Sequence, residues 1–125
     1  MIFLLDAHAL VWWLLDDPEL SASARSAIAD PANDIVVSAA TVWELAIKRA
    51  NGKIRLDVDL TSEIAAAGFS GLPVTLGDAE VASSLPLHHR DPFDRMLVAQ
   101  AQRLDAIVVS RDPALAAYGV NALTA

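Results

Sequence analysis

Cysteine is absent from this 125-residue chain. That excludes a disulfide framework, a thiolate zinc site and a thiol nucleophile, and it suits a cytosolic home. Lysine is absent after Lys53, which removes the late lysine a receiver-type phosphorylation module would need. No Gly-x-x-x-x-Gly-Lys-Ser/Thr occurs, so a P-loop nucleotide enzyme is excluded too. Long apolar runs are also missing. The longest uncharged stretch begins at Ile64, is interrupted by Gly68, Gly71, Pro73 and Gly77, and ends at Asp78. A membrane-crossing helix needs about 18 near-continuous apolar residues, so no membrane partner is expected. The apolar opening Ile2–Leu5 stops at Asp6 with no cationic segment before it, and no signal peptide is expected.

Positive charge is scarce. The chain carries 9 Lys+Arg against 16 Asp+Glu, a formal net charge of −7. Nucleic-acid binders usually show a basic stripe, yet acids gathered in one place can be neutralised by a divalent cation. The bases present are also unevenly spread: Lys48, Arg49, Lys53 and Arg55 form a run without an acid, and Arg90, Arg95, Arg103 and Arg111 lie in the last third. Nucleic acid therefore stays open as a partner. With 54% hydrophobic and 20% charged residues the chain is globular, and its length suits one domain, residues 1–125.

Short apolar runs alternate with helical patterns. Ile2–Leu5, Ile35–Val37 and Ile107–Val109 are continuously apolar, as strands covered on both faces are. Shorter strands are expected around Val74 and Val120–Leu123. Helices are expected over Leu10–Leu15, from a Ser21 cap through Ile28, over Ala39–Ala50 with Asn51-Gly52 as the stop, over Thr61–Ala67, and over Asp78–Ser84. Asp91-Pro92 opens a long helix to about Leu104, with Asp as cap and Pro in the first turn. Its Phe93, Met96, Leu97, Ala101 and Leu104 recur at helical spacing and should face the sheet. The alternation predicts an α/β fold, a three-layer α/β/α sandwich around a mainly parallel sheet. Ligands of such sheets sit beyond the carboxyl ends of the strands.

Acids fall at those ends. The first strand runs into Asp6, and the second into Ser38, with Glu44 early in the next helix. The third runs into Ser110, with Asp112 two residues on, and Asp91 and Asp94 open the helix that feeds it. Gathered carboxylates resist joint ionisation. A hard dication such as Mg²⁺ or Mn²⁺ compensates, takes oxygen ligands and needs only a few of them. The chemistry suggested is metal-assisted phosphodiester hydrolysis.

Each residue also has a simpler use. Glu44 closes a capping box with Thr41; Asp91 is an N-cap and Asp94 its partner; Asp112 can cap the segment Pro113–Tyr118. Ser38, Thr41 and Ser110 either support the acids from behind or make ordinary turn and cap bonds. Arg95, Arg111 and Lys48 either contact phosphate or balance carboxylates. His8, His88 and His89 lack metal spacing, and the adjacent pair should point in different directions. Trp12, Trp13 and Trp43 are read as packing residues rather than base-stacking ones. The joint placement of the acids, not any one of them, favours a site.

The segments Asp6-Ala7-His8-Ala9-Leu10-Val11-Trp12-Trp13, Ser38-Ala39-Ala40-Thr41-Val42-Trp43-Glu44, His89-Arg90-Asp91-Pro92-Phe93-Asp94-Arg95-Met96-Leu97-Val98-Ala99-Gln100-Ala101 and Val109-Ser110-Arg111-Asp112 resemble PIN-domain proteins. The likeness is greatest to VapC-type ribonuclease toxins of toxin–antitoxin pairs. The resemblance covers almost the whole chain in the family's order. It implies a three-layer α/β/α fold, a Mg²⁺- or Mn²⁺-dependent endoribonuclease acting on RNA, a homodimer, and silencing by a cognate antitoxin. Asp6, Glu44, Asp94 and Asp112 match the four family acids, and Asp91 an additional one. Many relatives carry Thr or Ser just after the first Asp, where this chain has Ala7 and His8. The expected ligands are Asp6 and Asp94, with Glu44 and Asp112 completing the cavity. Two rivals stand beside this reading: an Asp-nucleophile phosphotransferase or hydrolase using Asp6, and a catalytically silent binding module of the same fold.

Overall fold

The computed structural model describes residues 1–125. Five strands form one sheet: β1 (Ile2–Leu5), β2 (Asp34–Ser38), β3 (Ser70–Leu72), β4 (Ile107–Val109) and β5 (Ala122–Leu123). Their order is β3-β2-β1-β4-β5, and every pairing is parallel. β1 is central, with Leu5 level with Val37 on one side and Val109 on the other. The chain first builds outward from β1 through β2 to β3, then crosses to β4 and β5. The order therefore reverses beside β1, and the crevice beyond the ends of β1 and β4 is where such folds take ligands.

The strand apolar runs are continuous because both sheet faces are covered. Phe3, Leu5, Ile35, Val37 and Val109 point into one core. There they meet Ala9 and Leu10 of α1 (Ala7–Leu14), Ala24 and Ile28 of α2 (Ala22–Ala29), Leu45 of α3 (Ala39–Ala50), and Leu60 and Ile64 of α4 (Leu60–Ala66). The alternate residues Leu4, Val36 and Val108 point into the other, against Leu97, Val98 and Ala101 of α6 (Pro92–Leu104) and Leu115 of the 3-10 segment Pro113–Tyr118. This is the expected three-layer arrangement. A fully buried leucine contributes about 2 kcal/mol through its removed apolar surface. Leu4, Leu5, Leu10, Leu97 and Leu115 are all of that kind.

Helices follow their local signals. The Ser21 side chain accepts from Ala24 N at the start of α2, and Asp91 accepts from Phe93 N and Asp94 N at the start of α6. α3 ends at Asn51 with Gly52 at φ +70°, a conformation glycine adopts without a Cβ penalty.

Four expectations shift. α1 begins at Ala7, not Leu10, because Asp6 caps it by accepting from Ala9 N. α5 spans Leu76–Ser84, beginning two residues before the expected start, because Thr75 caps it in a capping box with Asp78. The strand expected around Val74 lies at Ser70–Leu72, ahead of Pro73, which has no N–H for a ladder. On α6, Leu97 and Ala101 reach the second core and Leu104 packs against it. Phe93 and Met96 instead line an apolar groove with Trp43 and Val74. Trp43 is 64% exposed, unlike the packed Trp12 and Trp13. No helix is long and apolar enough to cross a membrane.

Candidate active site

A cleft of about 160 Å³ opens beyond the carboxyl ends of β1 and β4, lined by Asp6, Ala7, His8, Glu44, Lys48, Asp91, Asp94 and Asp112. Parallel pairing of β1 with β4 sets Asp6 next to the Ser110–Asp112 turn, and its N–H donates to the Val109 carbonyl at 3.1 Å. α3 brings Glu44 from its second turn, and the first turn of α6 brings Asp91 and Asp94. All five acids proposed from the sequence thus meet in one place, with Lys48 as the lysine among them.

Their electrostatics follow from crowding and burial. Asp94 is pushed up to about 7, first by burial, then by the charges of Asp91, Asp6 and Glu44, against relief from His89. Asp6, itself buried, is raised above the usual carboxylate range by desolvation, partly offset by the Ala9 N–H, the Ser110 hydroxyl and His8. Asp112 is held below its ordinary value by the Ala114 N–H and by His89. The site therefore holds two carboxyl groups that resist ionisation and one that favours it. Glu44 pairs with Lys48, one helical turn on, at 2.9 Å.

The supporting hydroxyls divide. Ser38 is fully buried and accepts from Ala40 N at 3.1 Å, which caps α3. Thr41 is buried beside it in the first turn of α3. Ser110 accepts from Asp112 N at 3.1 Å and eases Asp6.

The arginines sit elsewhere than expected. Arg95 is buried and spends its guanidinium on the carbonyls of Leu85 (2.8 Å), Pro86 (3.0 Å), Ser83 and His89 (3.3 Å each). It is a pin for the loop before α6, not a cleft residue. Arg111 lies over the Trp12 ring at 4.4 Å and bonds Glu19 and the Ala125 carbonyl. The donors of both guanidiniums are thus engaged within the protein rather than turned to the cleft. Lys48 does line the cleft.

His89 is the residue the sequence did not reveal. Its Nε2 lies 2.6 Å from Asp112 Oδ2 and 3.2 Å from Asp94 Oδ2. Ligand atoms of His89, Asp94 and Asp112 all fall within 4.8 Å of one another. His88 does point another way, edge-on to Tyr118. The one signal available was the place of His89, two residues before the Asp91 cap.

A family model for the PIN domain matches residues 3–121. Ribonuclease VapC22 of Mycobacterium tuberculosis is 30% identical over 118 residues, covering 92% of this chain and 90% of that protein. Among solved structures, VapBC2 from Rickettsia felis bound to a promoter DNA fragment superposes with a TM-score of 0.70 at 14% identity, covering 99% of this chain and 98% of that one. FitAcB from Neisseria gonorrhoeae superposes at 0.65 with 20% identity, covering 99% and 97%.

Proposed function

Because this chain belongs to the PIN domain family, we propose that it is a metal-dependent endoribonuclease, the toxin of a toxin–antitoxin pair, and that residues 1–125 form one such domain. The observation that carries the reading is the convergence of Asp6, Glu44, Asp91, Asp94 and Asp112 on one cleft from four separate stretches of chain.

The residues present fit a hard dication. The donors are carboxylate oxygens, as Mg²⁺ or Mn²⁺ prefers. Asp94, raised to about 7, marks a place where negative charge lacks compensation. Asp6 and Asp94 would hold the ion, with Glu44 and Asp112 completing the cavity. When bound, such an ion supplies Lewis acidity that polarises a phosphoryl oxygen and makes water a better nucleophile near neutral pH.

The protein's own part is placement. Asp6 is fixed at both ends, its N–H on Val109 and its Oδ1 on Ala9 N at 2.8 Å. Burial strips water from Asp6 and Asp94, which strengthens their attraction for a cation. Lys48 lies at the cleft against Glu44, where its ammonium can meet a backbone phosphate. The reading includes RNA as substrate, a cognate antitoxin protein as partner, a homodimer as the acting state and the cytoplasm as its place.

The test is Mn²⁺ titration by calorimetry joined to an RNA cleavage assay with and without EDTA. The reading expects Mn²⁺ uptake and cleavage abolished by EDTA. Absence of uptake at millimolar Mn²⁺ favours the silent module, and cleavage indifferent to EDTA removes the metal from the mechanism.

A further inference from the structure

We infer that His89 is the positioning residue of this cleft: its Nε2–H holds Asp112 beside Asp94 and presets the carboxylates for a cation without itself becoming a ligand. The inference rests on the nuclease reading above and adds a role that the four acids do not explain.

The two ring nitrogens of His89 face different partners. Nδ1 accepts a hydrogen bond from the Asp91 N–H at 3.0 Å. A backbone N–H can only donate, so Nδ1 carries no hydrogen while that bond stands. The ring hydrogen is then on Nε2, the usual way one nitrogen's partner sets the other's tautomer. Nε2 faces Asp112 Oδ2 at 2.6 Å and Asp94 Oδ2 at 3.2 Å. Asp112 Oδ2 accepts that hydrogen, and Asp94 lies within ion-pair distance beside it. Binding a metal through Nε2 would require moving that hydrogen to Nδ1, where it would meet the Asp91 N–H head-on.

The imidazole is held firmly enough for such a task. The His89 carbonyl takes the buried Arg95 guanidinium, and the His89 N–H donates to the Tyr118 hydroxyl at 2.9 Å. Tyr118 in turn donates to the Pro86 carbonyl at 2.7 Å. Ring and backbone are thus fixed by separate partners. Asp112 is equally constrained, with Oδ1 on the Ala114 N–H at 2.9 Å and Oδ2 on His89. Asp94 stands next to this pair, its Oδ2 3.2 Å from the same Nε2. Supporting donors of this kind typically govern metal affinity by about 10- to 100-fold.

Two substitutions separate this role from simple loop support. Gln at position 89 retains a donor at the reach of Nε2 and loses the acceptor for Asp91. Asn retains the acceptor and loses the reaching donor. Calorimetric Mn²⁺ titration of the full chain should give affinity about tenfold weaker for His89→Asn and near wild type for His89→Gln. Excess Mn²⁺ should then restore most RNA cleavage by His89→Asn. The reverse order, equal losses in both variants, or no loss in either overturns the inference. Imidazole ¹⁵N spectra of the metal-free wild-type protein give a second test that needs no variant: the hydrogen of His89 belongs on Nε2, and finding it on Nδ1 overturns the inference. If the wild-type protein takes up no Mn²⁺, the nuclease reading falls and takes this role with it. If wild type binds Mn²⁺ and cleaves RNA while His89→Asn matches it, only the role of His89 falls.

Discussion

The N–H of Asp6 donates to the carbonyl of Val109 at 3.1 Å. This single bond extends the β1–β4 ladder by one residue and joins the first acid of the cleft to the strand that delivers the last. Sheet geometry, rather than side-chain flexibility, therefore sets the distance between them. In a fold of this order, the crevice so formed is the place where strand sequence reverses.

Asp6→Asn tests that placement. The amide oxygen can still accept from Ala9 N, and burial already disfavours the carboxylate. Folding should be intact, with a melting temperature equal to or above wild type. RNA cleavage should fall by about 100-fold or more, roughly 3 kcal/mol of barrier, and Mn²⁺ affinity with it. Retained activity in a standard cleavage assay would remove Asp6 from the ligand set.

Asp94 predicts a pH dependence. In the folded protein its carboxyl holds a proton up to about 7, against 3.8 ordinarily. Between those values the folded state binds more protons than the unfolded state, so metal-free stability falls as pH rises from about 4 to about 7. Asp94→Asn should then stabilise the metal-free protein above neutrality by ~2 kcal/mol, seen as a raised urea midpoint. Metal binding runs the other way. The cation must displace the Asp94 proton, so Mn²⁺ affinity should drop about tenfold per unit below neutral pH and level off above it. Calorimetry in buffers of different ionisation enthalpy would reveal the released proton.

Asp78 and Arg103 make a bidentate pair between α5 and α6, at 2.7 and 2.9 Å. The Arg103 guanidinium is the main reason that the Asp78 carboxyl sits at about 2. A lowered value means stability that is complete above about pH 4 and lost as pH falls towards 2. Arg103→Met should lower the urea midpoint at neutral pH, and the difference from wild type should shrink near pH 2. Cleavage by the folded fraction should be unaffected, because neither residue lines the cleft.

Lys48 and Arg95 should differ in kind. Lys48→Met should raise KM for RNA several-fold and reduce the slope of log affinity against log salt by about one. Arg95→Met should leave that slope alone and cost about 3 kcal/mol of stability, because it removes a buried guanidinium that binds four loop carbonyls. Binding measured across a salt series, with thermal melts, separates the two.

What the sequence alone determined is what local chemistry decides. α3 runs over Ala39–Ala50 and α6 over Pro92–Leu104 as read, because caps, stop signals and apolar spacing act within a few residues. β1, β2 and β4 were legible from apolar runs long enough to demand cover on both faces. Asp6 and Asp112 were legible because they follow strands, and Glu44, Asp91 and Asp94 because they lie in the opening turns of helices. β3 was not: Ser70-Gly71-Leu72 has no pattern of its own and is a strand only because β2 offers it partners. The same holds for side chains whose direction depends on distant groups. Arg95 was legible as a cation but not as one turned inward on four carbonyls, and His89 only as one of two neighbouring histidines. Tertiary structure decided both, because a hydrogen bond is set by where its partner lies in space, and their partners include groups that sequence proximity does not supply: Tyr118 for both residues, and Asp112 for His89.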